Sequence, residues 1–220
     1  MSSNILAINP LDGRYSSKVG NIAPIVSEFG LIKYRVIVEI EWFKFLFSKP
    51  EFNLPKLLST DIAVLDRIVS EFSIADAERV KAIEATTNHD VKAVEYLIKE
   101  KIAHNSVLNQ QREFIHFACT SEDINNTSYA LMLKELKEQI LLPELNKLTA
   151  TLSTLATEYR DVAMMCRTHG QPATPSTMGK EFYNVVYRLQ RQLKQLSAQE
   201  VLGKINGAVG NYNAHVVAYP

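Results

Sequence analysis

Apolar residues recur at three- and four-residue steps from about Ile25 to Phe47, with Leu31, Tyr34, Val38, Trp42 and Phe45 on one stripe. That spacing predicts an amphipathic helix. The segment Lys49-Pro50-Glu51-Phe52-Asn53-Leu54-Pro55 ends it, because each proline lacks a backbone donor and restricts the residue before it. A second helix is expected from Ser59 or Thr60 to Phe72. Ser73 followed by Asp76 has the form of a capping box, with Asp in place of Glu, and opens a third helix toward Glu84. Thr87-Asn88-His89-Asp90 carries the chemistry of another helix start, with capping by Thr87 or Asn88. The helix that follows places Val91, Val94, Leu97 and Ile98 on one side.

The pattern then lengthens. From Ser121 to about Glu158 the apolar spacing continues through Leu131, Leu133, Leu136, Ile140, Leu145, Leu148, Leu152 and Leu155. Those residues would span roughly 57 Å as one helix, with Pro143 kinking or splitting it. A second long pattern runs from about Pro175 to Val201, with Phe182, Val185, Leu189, Leu193 and Leu196 on its stripe. Thr174 is expected to cap it and Pro175 to sit in its first turn. The Gly- and Pro-containing stretch between the two patterns is expected to be a loop joining helices, and no strand pairing is predicted. Helices of this length argue for an all-α fold built as an elongated bundle. Beyond them, Gly203 to Asn213 is a Gly/Asn loop with neither Walker nor dinucleotide spacing. The sequence stops at Tyr219-Pro220 in mid-pattern, which reads as a truncation. The two long stripes then lack partner helices, and exposed apolar stripes drive association.

Composition narrows the function classes. The 220 residues are 46% apolar, enough for one large or two small domains, and 24 basic residues balance 24 acidic ones. An even, interspersed charge offers no nucleic-acid surface. No apolar run is long enough for a bilayer, and Met1 to Leu6 lacks the marks of a signal peptide. The two cysteines, Cys119 and Cys166, form no CxxC pair; a reducing cytoplasm and ordinary buried thiols fit them. His104, His116 and His215 are isolated and read as structural. No His/Cys/carboxylate spacing suggests a metal site.

Five polar clusters carry candidate chemistry. The first is Arg167-Thr168-His169-Gly170-Gln171-Pro172-Ala173-Thr174-Pro175. A histidine held between rigid elements can move a proton near neutral pH, while Arg167, Thr168 and Gln171 can hydrogen-bond an anionic or amide-bearing ligand. The second, Asp12-Gly13-Arg14-Tyr15, sets an arginine fork beside a glycine turn, where it can bind phosphate or simply face solvent. The third, Thr86-Thr87-Asn88-His89-Asp90, and the fourth, Cys119-Thr120-Ser121-Glu122-Asp123-Ile124-Asn125-Asn126, sit at predicted helix starts. Free N–H groups and the helix dipole attract anions there, although simple capping explains much of the same sequence. Asn125 and Asn126 are poor helix formers in a helix that otherwise propagates well, which suggests a ligand-facing or interhelical role. The fifth, Thr177-Met178-Gly179-Lys180-Glu181, is weak, with Lys180 pairing with Glu181 or facing solvent.

Four of these clusters, in this order, resemble the adenylosuccinate lyase family of the fumarase/aspartase superfamily: Asp12 to Tyr15, Thr86 to Tyr96, Thr120 to Asn126, and Arg167 to Pro175. The resemblance covers essentially all 220 residues. It implies a small N-terminal helical domain, residues 1–115, followed by the first, incomplete part of a central long-helix bundle, residues 116–220. It implies a cytoplasmic homotetramer of purine biosynthesis that needs no cofactor and eliminates fumarate from a succinylated purine nucleotide. His169 would be the general acid. Arg14 and Tyr15 would contact the substrate, at its phosphate end; Asn88, His89 and Asp90 would bind it, with His89 near the phosphate. Thr120 and Ser121 would hold the succinyl carboxylates, and Thr168 and Gln171 would fix the ring and the substrate. In one respect the chain departs from the family pattern. The family's base is a serine in a Gly-Ser-Ser-containing loop ending in Met-Pro-x-Lys-x-Asn-Pro, and these 220 residues contain no such segment. A non-catalytic helical nucleotide-binding or assembly module, or another lyase of the superfamily, is the alternative.

Overall fold

A serine in front of a run of helix formers decides where the first long helix begins. In the computed structural model, which describes residues 9–220, the Ser27 side chain accepts from the Gly30 amide at 3.3 Å and caps α2, Glu28–Phe47. The four-residue α1, Ala23–Val26, ends against it. Only glycine fits at position 30, because a Cβ would lie 2.2 Å from the Ile25 carbonyl oxygen. The buried face of α2 is only partly the expected stripe, of which Tyr34 and Val38 are buried. Ile32, Val36, Ile40 and Phe43 enter the main core, whereas Leu31 and Trp42 are half-buried and Phe45 is exposed. The helix is buried over most of its circumference, and that burial takes in two charged residues, Arg35 and Glu39. The reading of Met1 to Leu6 lies outside the described residues.

Four further helices complete this core: α3 Ser59–Ser70, α4 Ile74–Thr87, α5 Asp90–Ile102 and the short α6 Ser106–Gln110. Leu65, Val80, Val94, Leu97, Ile98 and Leu108 pack with the α2 residues. Each such side chain contributes about 1.5–3 kcal/mol when fully removed from water. The Ser73–Asp76 capping box forms in both directions. The next helix start differs from expectation: neither Thr87 nor Asn88 caps α5. Asn88 takes a left-handed conformation, φ 57°, and closes α4, which asparagine tolerates better than most residues. His89 is the cap instead, its Nδ1 accepting the Lys92 amide at 3.2 Å.

Residues 121–158 are helical throughout, as α7 Ser121–Glu135, a π-helical stretch Leu136–Leu141 and α8 Leu142–Glu158. Pro143 occupies the first turn of α8. Its ring crowds the preceding turn and it has no N–H to give, so the wider π turn ahead of it takes up the disturbance without breaking the helix.

The largest departure follows α8. The expected helix–helix loop is an antiparallel hairpin of β1 Ala163–Thr168 and β2 Gln171–Thr177, with Thr168 opposite Gln171 and Ala163 opposite Thr177. His169 and Gly170 form its two-residue turn, with φ of 50° and 76°. Positive φ at both positions matches the twist of paired strands. Thr174 and Pro175 therefore belong to β2 and do not open a helix. Pro172 and Pro175 each disfavour helix in the residue before them, so α9 begins only at Met178 and runs to Ala198. Its cap is Thr177, whose Oγ1 accepts the Lys180 amide at 3.2 Å. Gly179 lets α9 meet α8 closely: a Cβ there would lie 2.4 Å from the Ala156 carbonyl oxygen.

The chain forms two compact units. One comprises residues to Leu133 together with Val201–Pro220, which hold a final short helix, α10 Asn213–Ala218; the other is Lys134–Glu200. The expected boundary at 115/116 concerns the domains of the family fold, while the compact units divide at 133/134 and 200/201. Among the described residues the architecture is helical apart from the single hairpin.

Candidate functional site

In the first unit, the starts of α5 and α7 come together, and with them two of the expected clusters. His89 caps α5 through Nδ1, so its neutral form carries the proton on Nε2. That nitrogen lies 3.4 Å from the Ser121 hydroxyl at the start of α7. His89 is exposed and Ser121 half-buried, so this pair of polar groups faces solvent beside two helix N-termini. Amides and dipoles at such ends favour an anion.

Two buried charged residues hold this geometry from behind. Arg35, on α2, donates from Nε to the Asn125 side-chain oxygen at 2.8 Å and from a terminal nitrogen to Asp90 at 2.6 Å. Asp90 also accepts the Val91 amide at 2.8 Å, so both of its oxygens are engaged within the chain. Burial opposes ionisation of Asp90, but the Val91 amide and the Arg35 guanidinium more than offset it and hold the carboxyl below its ordinary range. Asn88 stands one residue before the cap, in the strained turn.

Asp123 is the second anchor. It is fully buried, yet it accepts the Thr120 amide at 2.9 Å, the Lys204 ammonium at 2.7 Å and the amides of Asn206 and Gly207. Desolvation again works against the charge, and the Lys204 and amide contacts prevail, leaving its carboxyl below the ordinary range. Asn126 adds a two-way tie to the Lys204 backbone, giving from Nδ2 to the carbonyl at 2.9 Å and accepting the amide at 2.7 Å. The Gly/Asn loop is thereby fastened to the first turns of α7, next to Thr120 and Ser121. Asn125 and Asn126, singled out for spoiling helix propensity, both make contacts between elements.

A further buried pair lies behind the same helix. Glu39 is fully buried with one oxygen 2.6 Å from His116 Nδ1, and its other oxygen has no partner among the described residues. Burial pushes the Glu39 carboxyl up, only partly countered by His116. Burial pushes His116 down, but the Glu39 carboxylate more than reverses this, and its net direction is up. Burial likewise pushes the Cys119 thiol far up, which suits an inert thiol better than a nucleophile.

Arg14 and Tyr15 lie in an exposed turn, with the guanidinium 5.4 Å from the Tyr15 ring centre. In the second unit, Thr168, His169 and Gln171 are exposed together at the hairpin tip. The Thr168 hydroxyl is 2.9 Å from His169 Nδ1, which turns Nε2 away from the hairpin's own hydroxyl. Lys180 pairs with Glu181 at 2.8 Å.

A cavity of about 690 Å³ lies among Val64, Arg67, Ser73, Asp76, Lys101 and His104, and none of the expected residues lines it. Sequence reasoning missed Arg35, Lys204 and Glu39, and gave Asp123 no role beyond membership of the fourth cluster and its capping. A signal was present for two of them. Arg35 and Glu39 sit one turn apart, each between two apolar or aromatic neighbours, and charged residues are seldom buried without a partner. Among the described residues no helix is long and apolar enough to cross a membrane, and no group of three or more His, Cys, Asp or Glu is placed to hold a metal ion.

A family model described as lyase matches residues 13–220. Curated relatives named adenylosuccinate lyase include those of Vibrio cholerae, 56% identical, Haemophilus influenzae, 57%, and Escherichia coli, 54%. Each aligns over 219 residues, 99% of this chain and 48% of the relative, so the chain spans about half the length of these relatives. Similar solved structures include a 3-carboxy-cis,cis-muconate lactonizing enzyme from Pseudomonas putida, with TM-score 0.68 at 22% identity over 91% of this chain and 44% of that one. A fumarate lyase from Mesorhizobium has TM-score 0.69 at 18% identity over 90% and 44%. At these identities the solved structures speak for the fold alone. With the helix starts, the docked Gly/Asn loop and the histidine hairpin all in place, the chain belongs to the lyase family and corresponds to the N-terminal part of its adenylosuccinate lyase relatives.

Proposed function

We propose that the protein containing this chain is an adenylosuccinate lyase of purine biosynthesis. It eliminates fumarate from adenylosuccinate to give AMP, and from succinyl-aminoimidazole carboxamide ribotide. The observation that carries this is the 54–57% identity to curated adenylosuccinate lyases over 99% of the chain. In the reaction a base removes a proton from the succinyl carbon next to the C–N bond. The electron pair forms the fumarate double bond, the C–N bond breaks, and an acid protonates the departing nitrogen. A nitrogen leaves poorly as an anion, so the acid is needed during cleavage.

His169 is assigned as that acid, through Nε2, with Thr168 holding Nδ1 and Gln171 binding beside it. Thr120 and Ser121 hold the succinyl carboxylates at the start of α7, where fixed donors meet the developing charge. The Nε2–H of His89, with Asn88, faces the phosphate side of the substrate. Arg14 and Tyr15 complete the phosphate end. Asp90 belongs to the binding cluster through the contacts it organises, since both of its oxygens are occupied. The base falls outside the residues assigned here, because the sequence contains no serine-loop segment of the family type. The exposed Tyr183, Val185 and Tyr187 of α9, and Leu148 of α8, offer apolar surface for the homotetrameric assembly, in the cytoplasm, that accompanies this assignment.

The test is fumarate release from adenylosuccinate, followed by absorbance, on the complete protein and its His169→Ala variant. The wild type should turn over. The variant should lose roughly 10²-fold or more in kcat with a smaller change in KM. A complete protein that converts neither substrate refutes the assignment, and a His169→Ala variant with near-normal kcat refutes the role of the acid.

A further inference from the structure

We propose that Arg35 is a positioning residue for this site: its buried guanidinium ties the start of α5 to the start of α7 and so sets how His89 and Ser121 face a ligand. The proposal rests on the assignment of those two residues to substrate binding. Arg35 is only 7% exposed and sits in the middle of α2, one residue from Tyr34 and Val36, which are also buried. From that fixed point it reaches two elements at once. Nε meets Asn125, one turn into α7, at 2.8 Å, and a terminal nitrogen meets Asp90, the first residue of α5, at 2.6 Å. His89 directly precedes Asp90, and Ser121 stands one turn before Asn125. The 3.4 Å approach of His89 Nε2 to the Ser121 hydroxyl is therefore closed on its far side by one planar cation.

The chemistry of the cation matters. A guanidinium presents several N–H donors in a fixed plane and can hold two acceptors on different helices at a set angle. An ammonium is a point charge whose donors rotate and cannot reproduce that fork. A lysine at this position keeps the charge beside Asp90, yet it loses the second arm to Asn125. The bridge is thus a more demanding structure than a salt bridge. Burying a charged arginine is costly unless its hydrogen bonds are made, which is the sign of a group retained for geometry rather than for stability. Asp90 is the relay: by accepting both the Val91 amide and Arg35 it stands between the α5 backbone, with its His89 cap, and α2.

The experiment uses the complete lyase and separates binding from turnover. Arg35→Lys should raise KM for adenylosuccinate about tenfold while kcat changes less than twofold, because the bridge acts on binding groups and not on the proposed acid. Asn125→Ala removes only the α7 arm. It should raise KM by a similar factor, and the double variant should be little worse than either single one, because both break the same bridge. On a His89→Ala background, Arg35→Lys should raise KM by a smaller factor than in the wild type, since one of the two groups it positions is gone. An Arg35 that is merely structural would lower the melting temperature and the amount of active enzyme while leaving KM untouched. That outcome, or additive KM effects in the double variant, overturns the proposal. Where Arg35→Lys does not fold, the KM of Asn125→Ala alone decides. A wild-type enzyme without fumarate release condemns the functional assignment itself, whereas an active wild type with an unchanged KM in the folded variants condemns only the bridge.

Discussion

The two compact units hold their candidate residues in opposite ways. In the first, two of the candidate residues at the helix starts are backed by buried partners, Asp90 by Arg35 and Thr120 by Asp123, and the same two partners hold Asn125 and the Gly/Asn loop. In the second, His169 is exposed at a hairpin tip, and its ring contacts the neighbouring Thr168. Buried side chains in that unit are few, chiefly Thr149, Ala156 and Val186, while Met164, Met165, Tyr183 and Tyr187 are open to solvent. The first unit supplies its own low-dielectric setting, in which hydrogen bonds to charge are strong and geometry is fixed before a ligand arrives. The second presents His169, the proposed acid, at the open end of a hairpin stalk.

The strongest way to break this comparison is to remove the anchor of the preorganised half. Asp123→Ala deletes the acceptor for Lys204 and for three backbone amides, and leaves those donors facing an apolar space. Losing one partner of a buried hydrogen-bonded pair typically costs about 3–5 kcal/mol, toward the low end here because Lys204 is partly exposed. A urea melt of the chain should show a loss of that order, with the Gly/Asn loop becoming open to proteolysis. A loss under about 1 kcal/mol would mean that the loop is held by Asn126 alone and that the unit is less organised than its contacts suggest.

Much of this contrast was legible in the sequence, and the failures have physical causes. The helical pattern, the Ser73–Asp76 box and the two clusters on helix starts could be read because each is local: spacing, caps and turn residues act over a few positions. The hairpin could not be read in the same way. Met164, Met165 and Cys166 carry no clear alternation, and the two prolines look like loop punctuation. Yet His169-Gly170 is a two-residue turn flanked by extended residues, and that was the available clue. The stripe on α2 was only partly found, with Tyr34 and Val38 buried, because a helix buried nearly all round has no single stripe. Arg35 and Lys204 contact residues more than 50 and 80 positions away, respectively, and no local pattern reports such pairings.

A change of pH should sharpen the contrast, with an effect smaller than that of deleting Asp123. The carboxyl groups with resolved shifts, Glu39, Asp76, Asp90, Glu100, Glu113 and Asp123, all belong to the first unit. Asp90 and Asp123 have folded values below the unfolded value of about 3.9. Their contribution is therefore present above that pH and is lost as pH falls through the folded values. His116 has the opposite sign. Its value is raised in the folded state, so its contribution is complete below about pH 6.5 and is lost as pH rises through the folded value; the raised Glu39 acts in the same direction. Urea midpoints of the chain should thus fall on both sides of an optimum. His116→Gln should flatten the alkaline arm and leave the acid arm in place. An arm above about pH 6.5 that survives this substitution unchanged would place its source outside His116.

The smallest expected effect is also the one in which the two units should agree. Ser73 caps α4 in the first unit and Thr177 caps α9 in the second, each accepting the amide three residues on, at 3.4 and 3.2 Å. Replacing such a cap by alanine costs about 1 kcal/mol, because one orphan N–H loses its acceptor and turns to water. Ser73 also takes part in a reciprocal box with Asp76, itself held by Lys101, so Ser73→Ala should cost slightly more than Thr177→Ala. Thr177 has a second duty, as the last residue of β2 opposite Ala163. If Thr177→Ala instead proves the costlier change by a clear margin, the hairpin and α9 fold as one cooperative element. The second unit would then be more than a stalk: the position of His169 would depend on the cap of the helix that follows it.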